Sequence, residues 1–205
     1  MANDISETQQ IVDVIIQDGA VRQKMSKRGF DTEKLTTGTD LCGAAQQAWD
    51  GRQDAMSAQE KQTGVVTKLA DDARKAYSDF REVARTEFKD EASLTALSIS
   101  EEVPGDLQTF LTHARSAYTA AKKPEYQGKL KEVGYGPVEL KNEIDALDAL
   151  QDAAGLQTRL IGDAQQATED RNAAVEPVRE YRTNLLKIAR RVFRRQPAQL
   201  RKLDF

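Results

Sequence analysis

Apolar and small residues return every seven positions along two long stretches of this chain. In the first stretch one register is Leu35, Cys42, Trp49, Met56, Thr63, Ala70, Tyr77 and Ala84. The second is Gly38, Ala45, Arg52, Gln59, Val66, Ala73, Phe80 and Glu87. The later stretch repeats this with Leu140, Leu147, Ala154, Ile161, Thr168, Val175, Arg182 and Ala189. Its second register is Glu143, Leu150, Gln157, Ala164, Arg171, Val178, Leu185 and Val192. Positions three and four apart lie on one side of an α-helix, so each pair of registers draws one seam. Few stretches alternate apolar and polar residues with β-branched content, so strands are not expected.

Shorter elements flank the seams. Ile11, Val12, Ile15 and Ile16 form an apolar face over a helix near Ser6 to Asp18. A second short helix is expected from Asp106 to Lys123, with Phe110, Leu111, Ala114, Ala117, Tyr118 and Ala121 inward. Asp106 caps it and Pro124 stops it. A basic stretch follows each, closed by Gly29-Phe30 or Gly134-Tyr135, where glycine suits a left-handed C-terminal cap. Asp31 or Thr32 caps the first long segment, and Gly136-Pro137 opens the second. Each long segment is either one helix of about 55 residues or a hairpin turning near Gln62 to Val65. Gly64 favours a turn, but the other segment has Glu169 there, with Asn172 and Pro177 as its nearest breakers. Breakers that do not match, and a seam phase that survives across the turn, favour continuous helices running antiparallel.

Both seams belong to a larger recurrence. At an offset of 105 residues Lys24 meets Lys129, Met25 meets Leu130, Gly29 meets Gly134, Phe30 meets Tyr135 and Leu35 meets Leu140. Val83-Ala84-Arg85 meets Ile188-Ala189-Arg190, and Phe88 meets Phe193. One residue later Leu94, Leu97 and Ile99 meet Leu200, Leu203 and Phe205. The expected architecture is all-α, a tandem repeat of a short and a long helix over residues 1–100 and 101–205. The pair forms one pseudo-symmetric antiparallel coiled coil or bundle; a four-helix bundle of two hairpins is the alternative.

Composition agrees with narrow helix–helix seams. Charged residues are 31% and aromatics 6%, and much of the 39% hydrophobic share is alanine. The formal net charge of −3 gives no global attraction to nucleic acid or anionic lipid. A single cysteine, Cys42, leaves no internal disulfide. The start, MANDISETQQ, lacks a basic region followed by an apolar run, and no stretch is long and apolar enough to span a bilayer. A cytoplasmic location is the default expectation.

Candidate chemistry is sparse. One histidine, His113, and one cysteine do not supply a zinc set or a repeated Glu-x-x-His pattern, so no cofactor or metal is expected. His113 and Cys42 are read as packing residues. The carboxylates Asp71-Asp72, Glu101-Glu102 and Asp145/Asp148/Asp152 are read as solvated faces, with an acid–base enzyme the weakest alternative. The marked asymmetry is basic. Lys187, Arg190, Arg191, Arg194 and Arg195 fall at helical spacing, and Arg201 and Lys202 continue the charge. Such a stripe either complements the helix C-terminal dipole or docks an acidic partner, anionic lipid or nucleic acid. No aromatic residues interleave along it, which disfavours nucleic acid.

The C-terminal stretch YRTNLLKIARRVFRRQPAQLRKLDF, with Ala189-Arg190, Pro197, Leu200 and Leu203, resembles the end of a family of uncharacterised bacterial all-helical proteins. Gln166-Ala167-Thr168 is similar too, while the Asp204-Phe205 ending departs from the family. The resemblance implies the duplicated helical architecture and brings no activity. The expected function is a non-enzymatic scaffold or protein–protein interaction module, acting on a protein partner or on itself.

Overall fold

The computed structural model describes residues 2–203, and the regular structure among them is helical: α1 (Ala2–Gln17), α2 (Gly19–Ser26), α3 (Thr32–Glu87), α4 (Glu91–Ala96), α5 (Leu107–Ala121), α6 (Pro124–Glu132), α7 (Pro137–Val192) and α8 (Pro197–Arg201). Their ends follow from local chemistry. The carboxylates of Asp18, Asp90 and Asp106 accept from the first free backbone N–H groups of α2, α4 and α5. Asp31 does the same for Lys34 at 3.0 Å in the first turn of α3. Pro124, Pro137 and Pro197 open helices, where a missing N–H costs nothing. Gly29 and Gly134 sit at φ +88° and +93°. At each, the next residue's N–H returns to a carbonyl five positions back, Phe30 to Met25 at 3.1 Å and Tyr135 to Leu130 at 2.8 Å. A side chain is strained at such φ, so glycine is required at both. The Asp204-Phe205 ending lies outside the described residues.

Both long segments are uninterrupted helices of 56 residues. Gln62 to Val65 lies inside α3 with no turn. Gly64 is exposed, with open space where a Cβ would be. Pro177 lies inside α7. Pro177 and Ala173, whose carbonyl loses its N–H partner to the proline, are both exposed, so water can serve that oxygen. Burial follows the predicted seam through most of both helices. It departs at Met56, Thr63 and Ile161, which are exposed. There Ala55, Gln62 and Leu160, one residue earlier, take the more covered position. The original register returns on both sides, at Cys42 and Tyr77 of α3 and at Leu147 and Val175 of α7, so the slip is local.

The chain forms two compact bodies. A terminal body contains the residues up to Ala58 and from Ile161 onward; a central body contains Gln59–Leu160. Each therefore takes helix from both sequence segments, although the recurrence places its boundary near residue 100. In the terminal body α1 and α2 cover the early part of α3 and the late part of α7. Ile11, Val12, Ile15, Val21, Met25, Phe30, Leu35, Leu185, Ala189, Phe193 and Leu203 form one apolar cluster. Ile5, Cys42, Ala45, Val175 and Val178 form another. The α3 and α7 stretches run antiparallel here. Tyr181 Oη donates to the Lys34 carbonyl at 3.0 Å, and further along α3 the Arg171 guanidinium stands 5.4 Å from the Trp49 ring centre.

The central body buries an aromatic group. Tyr77 and Tyr118 lie edge to face at 5.9 Å, and Phe80 lies 5.1 Å from both Tyr118 and Tyr135. Phe110 from α5 packs against Tyr77 at 5.9 Å. Gln62 donates to the Ala153 carbonyl at 2.9 Å, and Gln157 to Thr63 Oγ1 at 3.1 Å, joining the polar stretches of the two long helices. Arginines of α3 hold the connection that follows α4. Arg74 donates to the Pro104 and Gly105 carbonyls at 2.7 and 2.8 Å, while Arg81 and Arg85 both reach the Ile99 carbonyl.

A cationic groove on the terminal body

The described residues 181–203 contain eight Lys or Arg and no acidic residue, and residues 19–30 contain four and none. The terminal body brings these two runs together. On one wall of a groove of about 500 Å³ stand Arg28, Lys34 and Thr37, from the turn after α2 and the start of α3. On the other stand Asn184, Lys187 and Arg191 of α7, and Phe30, Tyr181 and Ile188 complete the lining. Phe30 is buried, and Tyr181 and Ile188 are half-buried, so they form the apolar floor; the four cations are exposed.

The floor is fixed by packing. Phe30 follows the left-handed Gly29 and meets Tyr181 edge to face at 5.8 Å. The hydroxyl end of the Tyr181 ring lies against Gly38, where an added Cβ would come within 2.3 Å of it. Glycine at this seam position is therefore a packing requirement that the heptad pattern does not explain. Burial pushes the Tyr181 phenol up to about 12, which keeps it a neutral donor to the Lys34 carbonyl. Lys34 Nζ stands 5.6 Å from the Phe30 ring centre, a cation–π contact. Arg28, Lys34, Lys187 and Arg191 form no ion pair with any described carboxylate. Nearby arginines do: Arg179 reaches Asp4 at 3.2 Å, and Arg182 reaches Glu7, which ties α7 to α1.

The structure divides the predicted basic stripe. Lys187 and Arg191 line the groove. Arg190 is exposed beside them on α7. Helix α7 ends at Val192, so Arg194 and Arg195 belong to the turn that follows and leave the helical spacing. Arg201 is exposed at the end of α8. Lys202 bonds Asp18 Oδ2 at 3.0 Å, and this bond, with the capped N–H of Val21, holds the Asp18 carboxyl below the usual range. Lys202 thus secures the cap of α2. Arg28, Phe30, Lys34 and Tyr181 join the site from outside the stripe. Sequence spacing does not reveal them, because they converge only when α2, α3 and α7 pack. The one ring within the stripe, Phe193, is buried in the core; the groove's rings come from the turn after α2 and from α7, ten residues before Arg191.

The other candidates do not line the groove. His113 Nε2 lies 2.6 Å from the Ser98 carbonyl, which also accepts from Tyr77 Oη at 3.0 Å. Ser98 itself is left-handed, at φ 55°. Cys42 is buried; desolvation, helped by the Asp13 charge, pushes its thiol up to about 11, so it carries no thiolate near neutral pH. Asp145 pairs with Lys141 at 2.5 Å and Asp148 with Arg115 at 2.6 Å; Asp71, Asp72, Glu101, Glu102 and Asp152 are exposed. Among the described residues no three His, Cys, Asp or Glu side chains gather as a metal would need, and no helix is long and apolar enough to cross a membrane. No family model, curated protein or solved structure matches the chain.

Proposed function

We propose that this protein is a non-enzymatic helical interaction module that docks an acidic protein segment in the groove of its terminal body. One observation carries the reading: four exposed cations rim an apolar floor, with no carboxylate among the lining residues. Like charges held together repel one another, and a bound anion relieves that repulsion. A partner with carboxylates beside an apolar side chain also covers Phe30, Tyr181 and Ile188. Exposed ion pairs contribute about 0–1 kcal/mol each, so affinity is modest and salt-sensitive, and charge chiefly steers the encounter. The frame is a tandem-duplicated unit whose long helices pair as an antiparallel coiled coil. The recurrence of α3 in α7, with equal length and a start 105 residues later, supports that origin.

The test is a titration with a labelled peptide of glutamates around one phenylalanine. The wild-type chain should bind it in low salt and release it in high salt. Lys34→Glu/Lys187→Glu/Arg191→Glu should abolish binding with helix content unchanged, while Lys187→Arg should keep it. Equal binding by the triple variant and the wild type overturns the proposal.

A further inference from the structure

The residues that line the groove have counterparts in the central body at the same offset of 105 residues. Arg28, Phe30, Lys34 and Thr37 become Val133, Tyr135, Glu139 and Asn142, while Tyr181, Asn184, Lys187, Ile188 and Arg191 become Ala76, Asp79, Glu82, Val83 and Thr86. The exposure is the same, class for class, at every pair except Phe30 and Tyr135. Both sets lie on corresponding elements. One wall comes from the end of α2 or α6 and the start of α3 or α7; the other comes from the last turns of α7 or α3. The charge is inverted. Lys34 meets Glu139, Lys187 meets Glu82, and the neutral Asn184 meets Asp79. Four cations and no acid stand against three carboxylates and no cation. Burial, and then the charges of Glu143 and of Asp79, one of the three, push the phenol of Tyr135, the counterpart of Phe30, up.

We infer that the acidic segment received by the groove is the counterpart surface on the central body of a second copy of this chain. The inference rests on reading the groove as a dock for acidic protein. Its further support is the complementarity of charge at matched, exposed positions. The two faces are different surfaces of one chain, so the contact is heterologous: each copy keeps one free face of either sign and can add another copy. Exposed pairs of this kind are screened by salt, so association is weak and grows as ionic strength falls. The net charge of −3 is small enough that repulsion between whole chains does not oppose it.

Sedimentation of the full chain tests this in about 0.01 M and about 1 M salt, where charges are screened over roughly 30 Å and 3 Å. The mean mass should rise with concentration in low salt and return to that of the monomer in high salt. Lys34→Gln/Lys187→Gln/Arg191→Gln loses the basic face, and Asp79→Asn/Glu82→Gln/Glu139→Gln loses the acidic one. Each variant should be monomeric alone. Mixed, they should form a one-to-one pair and nothing larger, since each keeps the face the other lacks. Lys34→Arg/Lys187→Arg should associate like the wild type. Self-association by either neutralised variant, or a mixture that stays monomeric, overturns the inference. A wild-type chain that binds the glutamate–phenylalanine peptide yet stays monomeric overturns it too and leaves the groove reading standing; a chain that does neither overturns both.

Discussion

Tyr118 places its hydroxyl in the buried interior of the central body. The side chain is 1% exposed, and its oxygen finds no hydrogen-bond partner among the described residues. A buried hydroxyl without a partner costs about 1–3 kcal/mol relative to its solvated state. The ring is well used, packing against Tyr77 and Phe80. Tyr118→Phe should therefore raise stability by about 1 kcal/mol in a denaturant melt; a loss of that size would show that the hydroxyl is satisfied in solution. The apolar role of this position was legible in the short-helix pattern. The state of its hydroxyl was not, because that depends on the two rings packed against it and the helix carrying them. Gly38 makes the same point. The seven-residue pattern puts it on the seam, and only the Tyr181 ring lying against it shows why glycine stands there.

At the scale of the element, continuity of the long helices is the main result. Gly64 offers a turn and Pro177 a break, yet α3 and α7 pass through both. Propensity is a weak local preference of about 1 kcal/mol for a glycine, and seam packing on both sides outweighs it. Gly64→Ala is a direct check. Gly64 is exposed inside α3 with open space around it, so alanine should stabilise the chain by about 1 kcal/mol. Were the segment a hairpin turning at this residue, the same change would destabilise it. The heptad phase, kept across residues 62 to 65, made this outcome readable. The local slip of burial at Met56, Thr63 and Ile161 was not readable, since a repeat of seven assigns each helix one unbroken stripe.

For the whole molecule, the recurrence at 105 residues and the compact bodies divide the chain differently. Each body combines part of α3 with part of α7. Residues 1–100 expressed alone should therefore lack a cooperative melt, because Phe30 and Leu35 lose Leu185, Ala189 and Phe193, and Tyr77 and Phe80 lose Tyr118 and Tyr135. Adding residues 101–205 should restore it. Independent folding of residues 1–100, seen by calorimetry, would contradict this. The chain by itself determined the helical class, the caps, the left-handed glycines and the concentration of basic residues near its end. All of these depend on neighbours within a few turns, and such neighbours are written in order along the sequence. Tertiary structure alone decided that Arg28 and Lys34 face Lys187 and Arg191 over two aromatic rings. It alone also decided that Lys202 is used by the cap of α2. These meetings join residues more than 140 positions apart, and packing brings them together.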